Sequence, residues 1–162
     1  MDLKHEWFCG QIEANKASMF RLARSILRRD ADAEDAVAEA VLRSFVHLDA
    51  LQKKGSVKSW LMRITANEAY RILYRHRDLV PLDELVREPA AAEQNMEQKM
   101  SLWDHVKSLP DTLRATVVLF YYEDLPVIEI ADILALSPGA VKTRLSRARV
   151  LLRMRLEQED AQ

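Results

Sequence analysis

Between Ser137 and Arg153 the chain carries Lys142, Arg144, Arg147, Arg149 and Arg153, with Thr143 and Ser146 among them. No acid falls between Asp132 and Glu157. Guanidinium and ammonium groups pair with phosphates and donate to guanine edges, and hydroxyls can donate to either. Without acids one turn away to neutralise them, these cations are free to meet a polyanion. At about a hundred degrees per residue, Gly139, Thr143, Ser146, Arg147 and Val150 share one face, flanked by Lys142, Arg149 and Arg153. Val141, Leu145, Ala148 and Leu152 fall on the opposite stripe. The chemistry this arrangement offers is a helix lying in a DNA major groove while its back holds a small core.

The neighbouring elements are suited to position that helix. A short helix is predicted over Val127–Leu134 and the basic one over Pro138–Glu157. Between them Ser137 can cap the orphan amides of the second helix, and Pro138 suits its first turn. Gly139 permits close backbone approach, and the positive end of the helix dipole favours a phosphate there. A helix, a capped turn and a basic helix make a helix-turn-helix.

A second divided face lies upstream, on a helix predicted over Val57–Arg77. Leu61, Met62, Ile64, Ala69, Ile72 and Leu73 centre on one side. Arg63, Asn67, Tyr70, Tyr74 and Arg77 line the other, with Arg71 and Arg75 flanking them and Glu68 the one acid in that span. Arginine pairs phosphates, asparagine bonds base edges and tyrosine stacks on exposed bases, which suits single-stranded or opening DNA. Taken alone, either Tyr70 or Tyr74 fits the commoner role of a tyrosine, packing half-buried with a wet hydroxyl. Before this helix, His47–Ser59 forms a basic loop with Lys53, Lys54 and Lys58.

Other predicted helices cover Ile12–Leu27, Asp30–Leu48, Glu97–Ser108 and Asp111–Tyr122, so the fold class is all-α. The helix from Asp30 carries Asp32, Glu34, Asp35 and Glu39. Asp32 and Glu34 favour the helix dipole, and Asp30 or Asp32 is placed to cap. Asp35 and Glu39, at i and i+4, repel one another unless something basic meets them. Between the helical blocks, residues 80–99 hold Pro81 and Pro89, an alanine run and an excess of acid, which reads as a flexible linker. The expected organisation is an N-terminal domain at 1–79, a linker at 80–99 and a C-terminal domain at 100–162.

Composition excludes several alternatives. With 49% hydrophobic residues and 3 glycines in 162, the chain suits a compact helical protein. The net charge of −1 is uninformative, because acids and bases are segregated along the chain. One cysteine, Cys9, leaves no internal disulfide and no cysteine-based zinc cluster, as expected in a reducing cytosol. No stretch has the length of a signal peptide core or a membrane span, so a soluble, cytoplasmic protein is expected. His5, His47, His76 and His105 are scattered, and there is no phosphate loop or nucleophile elbow. Neither enzymatic activity nor a metal or other cofactor is expected.

The run LPDTLRATVVLFYYEDLPVIEIADILALSPGAVKTRLSRARVLLR resembles the C-terminal domain of the sigma-70 family, closest to its compact extracytoplasmic-function (ECF) group. Leu109, Pro110, Arg114, Glu129, Ile130, Ala131, Leu134, Ser137, Gly139, Val141, Lys142, Arg144, Leu145, Arg147, Ala148 and Arg149 carry the resemblance. Ala135 departs from it, standing where the family usually has Gly. A left-handed conformation at Ala135 would cost on the order of 1 kcal/mol. Upstream, FRLARSILRRDADAEDAVAEAVLRSF is similar to the family segment that binds the clamp coiled coil of the polymerase β′ subunit. It matches at Asp32, Ala33, Glu34, Asp35, Ala36 and Glu39. KSWLMRITANEAYRILYRHR is similar to the helix that melts and reads the minus-ten element, through Trp60, Leu61, Ile64 and Asn67. Ala38 and Tyr70 depart from the usual Gln and Asp.

The resemblance implies an alternative sigma factor that binds core RNA polymerase through its β′ clamp and β subunits and opens promoter DNA. An anti-sigma factor as partner and no direct membrane insertion go with it. It implies polymerase contacts at Asp32, Asp35, Glu39 and Arg43. It implies minus-ten contacts at Lys58, Arg63, Asn67, Tyr70, Arg71, Tyr74 and Arg77. Minus-thirty-five contacts would come from Ser137, Gly139, Lys142, Thr143, Arg144, Ser146, Arg147 and Arg149. The basic loop would hold a flipped base, and the linker would thread the path of nascent RNA. A stand-alone helix-turn-helix regulator, and a protein-interaction module without DNA binding, remain open alternatives on the residues alone.

Overall fold

The computed structural model describes residues 2–51, 57–79 and 101–161, with 77–79 as backbone only. The linker 80–99, residues 52–56 of the basic loop (Lys53 and Lys54 among them) and the Arg77 side chain, all assigned roles above, lie outside what it describes. Every regular element among the described residues is helical. In order they are α1 (Leu3–Ile26), α2 (Asp30–Val46), α3 (Val57–Leu79), α4 (Leu102–Lys107), α5 (Asp111–Val117), α6 (Val127–Leu134) and α7 (Pro138–Asp160). A 3₁₀ turn, Leu48–Ala50, follows α2, and a π-helical turn, Val118–Tyr122, continues α5.

Helix α1 starts nearer the N-terminus than periodicity suggested. Asp2 caps it by accepting from the His5 amide at 2.8 Å, and Phe8 is fully buried in that added length. Phe8 meets Phe45 edge-on at 4.9 Å and Trp60 at 6.0 Å, tying α1, α2 and α3 together. Neither Asp30 nor Asp32 caps α2. Asp30 is already its first residue and receives Arg24 Nε at 2.7 Å, and Asp32 stands 3.7 Å from His76. Helix α4 is shorter than expected, because a capping box between Ser101 and Asp104 starts it late. In place of one helix over Asp111–Tyr122, the π turn ends α5 and carries Glu123 inward.

The two helical blocks share a core. Ala115, Leu119, Leu125, Ile130, Ala131, Ile133, Val141 and Leu145 belong to one apolar cluster with the buried residues of α1–α3. A separate cluster of Val106, Leu109, Leu113, Val117, Val118 and Ala148 fills the C-terminal block. Arg114 stitches the blocks: Nε donates to the Ser25 carbonyl at 2.9 Å and Nη1 to that of Leu109 at 3.1 Å. Burial lowers this guanidinium from its usual value, and Asp111, 2.7 Å away, opposes the shift. The guanidinium stays charged regardless.

The turn between α6 and α7 is closed by Leu136, whose amide donates to the Ala131 carbonyl at 2.9 Å. Ala135 at its apex has φ 55° and ψ 46°, a left-handed conformation, and is exposed. Glycine adopts this conformation freely but has more unfolded-state freedom to lose, so the two effects partly cancel. Ala135→Gly should stabilise the protein by up to about 1 kcal/mol, read as a higher urea midpoint at unchanged slope. A lower midpoint would show that the turn carries no strain.

Candidate nucleic-acid interface

The two faces are built differently. In α7, Val141, Leu145 and Ala148 are buried, and Gly139, Lys142, Thr143, Ser146, Arg147 and Arg149 are exposed on the other side. Ser137 Oγ accepts from the Ala140 amide at 3.1 Å, with Pro138 in the first turn. A Cβ at Gly139 would meet nothing closer than Ser137 Oγ at 4.0 Å, so the helix start is open to an incoming backbone. The side chains of Lys142, Ser146 and Arg147 make no hydrogen bond or ion pair with the described residues. The remaining predicted contacts are held internally. Thr143 Oγ1 donates to the Gly139 carbonyl at 3.0 Å, and Arg144 Nη1 to that of Thr112 at 3.0 Å. Arg149 Nη1 donates to the Tyr121 hydroxyl at 3.1 Å. This divides the face into unpaired groups that can reach bases and groups whose stems are steadied from the protein side.

On α3 the structure gathers Asn67, Tyr70, Arg71, Tyr74 and Arg75 around an open groove of about 670 Å³. The Tyr70 and Tyr74 rings stack, with centroids 6.1 Å apart at 22°. Tyr74 is 55% exposed and Tyr70 half-buried. Burial pushes the Tyr70 phenol above its usual value, and the Arg144 cation pulls the other way. Tyr70 therefore keeps its proton and remains a hydrogen-bond donor. A stacked aromatic pair between arginines is a platform for unpaired bases. Glu68 stays off this face: it is buried, and its carboxylate lies 2.7 Å from Arg43 Nε and 3.5 Å from Arg71 Nη1. Arg43 Nε is not aligned to bond it, so the contact is Coulombic.

Lys58 and Arg63 are not brought to this groove. They lie toward the start of α3 and face acids of the C-terminal block, Glu123 and Asp132. On α2, Asp35 and Glu39 are exposed, and Arg43 lies 3.4 Å from Glu39. The basic partner Glu39 required is thus partly supplied within the helix. Sequence reasoning missed Arg21, Glu123, Glu129 and Asp132 as contacts between blocks. The one signal for them was α6, whose Val127, Ile130, Ala131, Ile133 and Leu134 spread around more of the helix than one packing face needs.

Comparison with known proteins bears on both faces. The family model described as Sigma-70 region 2 matches residues 11–79, and that described as Sigma-70, region 4 matches 99–152. RNA polymerase sigma factor SigV of Bacillus subtilis is 29% identical over 150 residues, covering 92% of this chain and 90% of SigV. The RNA polymerase sigma-E factor of Streptomyces avermitilis is 30% identical over 154 residues, covering 92% and 84%. The sigma factor RpoE, solved with the anti-sigma factor NepR from Bartonella quintana, shares the fold. Its TM-score is 0.75 at 22% identity, over 93% of this chain and 96% of that one. CnrH, solved with the cytosolic domain of CnrY, aligns with a TM-score of 0.67 at 25% identity, over 95% and 90%.

The Ser137 cap carries a prediction of its own. Ser137→Ala should cost about 1 kcal/mol of stability, the usual value of an N-cap hydroxyl, seen as a lower urea midpoint. An unchanged midpoint would mean water replaces the cap at no cost.

Proposed function

The chain belongs to the sigma-70 family of RNA polymerase sigma factors, in its ECF group, and we propose how its surfaces share that family's work. It is an alternative sigma factor: it binds core RNA polymerase, recognises and melts promoter DNA, and directs transcription initiation. In the proposed division, residues 1–79 bind polymerase and open the minus-ten element, 80–99 link, and 100–162 read the minus-thirty-five element. Asn67, Tyr70, Arg71 and Tyr74 would receive unpaired minus-ten bases in the α3 groove, with Lys58, Arg63 and Arg77 on phosphates. Lys142, Ser146 and Arg147 would reach base edges, while Ser137, Gly139, Thr143, Arg144 and Arg149 set the helix against the backbone. Asp32, Asp35, Glu39 and Arg43 would meet the polymerase clamp. The observation that carries this reading is the groove itself: stacked tyrosines between arginines, in the same chain as a capped, acid-free recognition helix.

Each grip alone is weak. Joining them, and tethering both to polymerase, raises effective concentration and strengthens binding by about two to four decades. In this reading the bond-making chemistry belongs to polymerase, and the chain is not itself an enzyme. No described helix is long and apolar enough to cross a membrane. The proposed place of work is the cytoplasm, with polymerase. The related RpoE and CnrH structures are complexes, with NepR and with the cytosolic domain of CnrY, and an anti-sigma factor is the corresponding partner proposed here. A stand-alone regulator would leave the α3 groove and the acidic α2 face without a role.

Two substitutions test the assignment. Arg147→Ala should weaken binding to a cognate promoter by about 1–3 kcal/mol while sparing unrelated DNA, measured by competition with both duplexes. An equal loss on both would make Arg147 a phosphate contact. Asp35→Arg combined with Glu39→Arg should leave the helical circular-dichroism spectrum intact and reduce co-purification with core polymerase. Unchanged core affinity would remove α2 as the docking surface.

A further inference from the structure

Tyr121 is 50% exposed, yet neither DNA face described above gives it a role. It stands in the π turn that ends α5, where the Glu123 amide reaches back to the Val118 carbonyl at 3.0 Å. Such turns are rare, and many stand at functional sites. Here the turn buries Glu123 and leaves Tyr121 outside, so the acid is withdrawn from the surface that carries the phenol. Phe120 meets the Tyr121 ring edge-on at 4.9 Å and steadies its plane. Arg149 Nη1 donates to the phenol oxygen at 3.1 Å. Arginine has donors and no acceptor, so the phenol accepts in this bond and its own O–H hydrogen is left over. Among the described residues nothing accepts that hydrogen.

Lys142, Ser146, Arg149 and Arg153 are spaced four, three and four, so they share one line along α7. The side chain of Arg153 is exposed and makes no hydrogen bond or ion pair with the described residues. Recognition helices meet base edges with their N-terminal residues. Helix α7 has 23 residues and is about 35 Å long. A straight rod of that length leaves a groove about 12 Å wide that curves around the duplex. Its later turns therefore pass out over the sugar-phosphate flank. Arg149 and Arg153 lie about 3 and 9 Å further along the axis than Arg147, and Tyr121 reaches Arg149 from another element.

We propose that Tyr121, Arg149 and Arg153 form a clamp for one DNA phosphodiester at the edge of the minus-thirty-five element. The inference rests on the reading of α7 as the duplex-reading helix. Tyr121 donates its free O–H to one phosphate oxygen, the Arg149 fork donates to the other, and Arg153 supplies charge one turn on. The Arg149–Tyr121 bond organises the pair before DNA arrives, which lowers the ordering cost of binding. A neutral phenol also adds a donor without repelling the guanidinium beside it.

The test uses holoenzyme reconstituted from core polymerase and the full chain, with binding to labelled promoter duplexes as the readout. Tyr121→Phe removes one hydroxyl from an exposed ring, and Arg153→Gln removes a charge while keeping a polar side chain. Tyr121→Phe should weaken binding about three- to tenfold on cognate and unrelated duplexes alike, with its salt dependence unchanged. Arg153→Gln should lower the salt slope by about one. A second series of duplexes carries one neutral methylphosphonate, moved phosphate by phosphate along both flanks of the minus-thirty-five element. At one position, the methylphosphonate and Tyr121→Phe together should weaken binding by less than the product of their separate effects. A hydroxyl that only steadied the fold would give the full product at every position, and that result overturns the clamp. A loss confined to the cognate duplex makes Tyr121 a base contact and overturns it too. Arg147→Ala separates the clamp from the wider reading. If Arg147→Ala loses cognate binding while Tyr121→Phe loses nothing, the clamp alone falls. If neither variant changes duplex binding, the reading of α7 falls and the clamp falls with it.

Discussion

The carboxylate of Glu123 is buried only because Arg21 and Lys58 come to meet it, and the seating of the two blocks follows from that requirement. Removing one partner of a buried pair leaves an uncompensated charge and costs about 3–5 kcal/mol, although the intact pair adds little net stability. Such a contact therefore fixes register more than it strengthens. The π turn Val118–Tyr122 aims Glu123 inward, and Asp124, left-handed at φ 56°, turns the chain back out. Arg114 repeats the arrangement in reverse, reaching from the C-terminal block to the Ser25 carbonyl. Together they let Leu119, Leu125 and Ile130 close over α1–α3 in one arrangement.

Apart from Lys58 and Arg63, which lie in the seam itself, the DNA-facing groups are kept clear of acids by a simple device. Each working helix buries one stripe and leaves its opposite face to cations. In α7 the buried stripe is Val141, Leu145 and Ala148, and in α3 it is Leu61, Met62, Ala66 and Ala69. Acids that would spoil the exposed faces are drawn inward, as Glu68 is toward Arg43 and Arg71. The result is two unlike grips: a duplex-reading helix with unpaired Lys142 and Arg147, and a groove whose tyrosines can stack on separated bases.

Much of this was legible from residue types and spacing. The opposed stripes of α7 and the Ser137 cap follow from a period of about 3.6 residues and from capping chemistry, whereas Ala135 stood out only through the family resemblance, as an alanine where glycine is usual. The tyrosines of α3 prove to be divided between the two roles their residue type allows, Tyr70 half-buried and Tyr74 largely exposed. The seam between the blocks was not legible. Glu123, Glu129 and Asp132 look like ordinary surface acids, because periodicity describes one helix at a time and pairing with Arg21, Lys58 or Arg63 depends on tertiary approach. The early start of α1 was missed for a related reason: its cap, Asp2, precedes a stretch with few apolar residues. The π turn left no mark, since Val118–Tyr122 reads as continued apolar helix.

The central claim is that this chain turns a non-initiating core polymerase into one that starts at chosen promoters. Reconstituted run-off transcription on a library of genomic fragments tests it most directly. Core with the full chain should yield discrete transcripts from a small set of fragments that share spaced minus-ten and minus-thirty-five elements, with core alone yielding none. Failure to initiate from any fragment, with the chain demonstrably bound to core, would contradict the account.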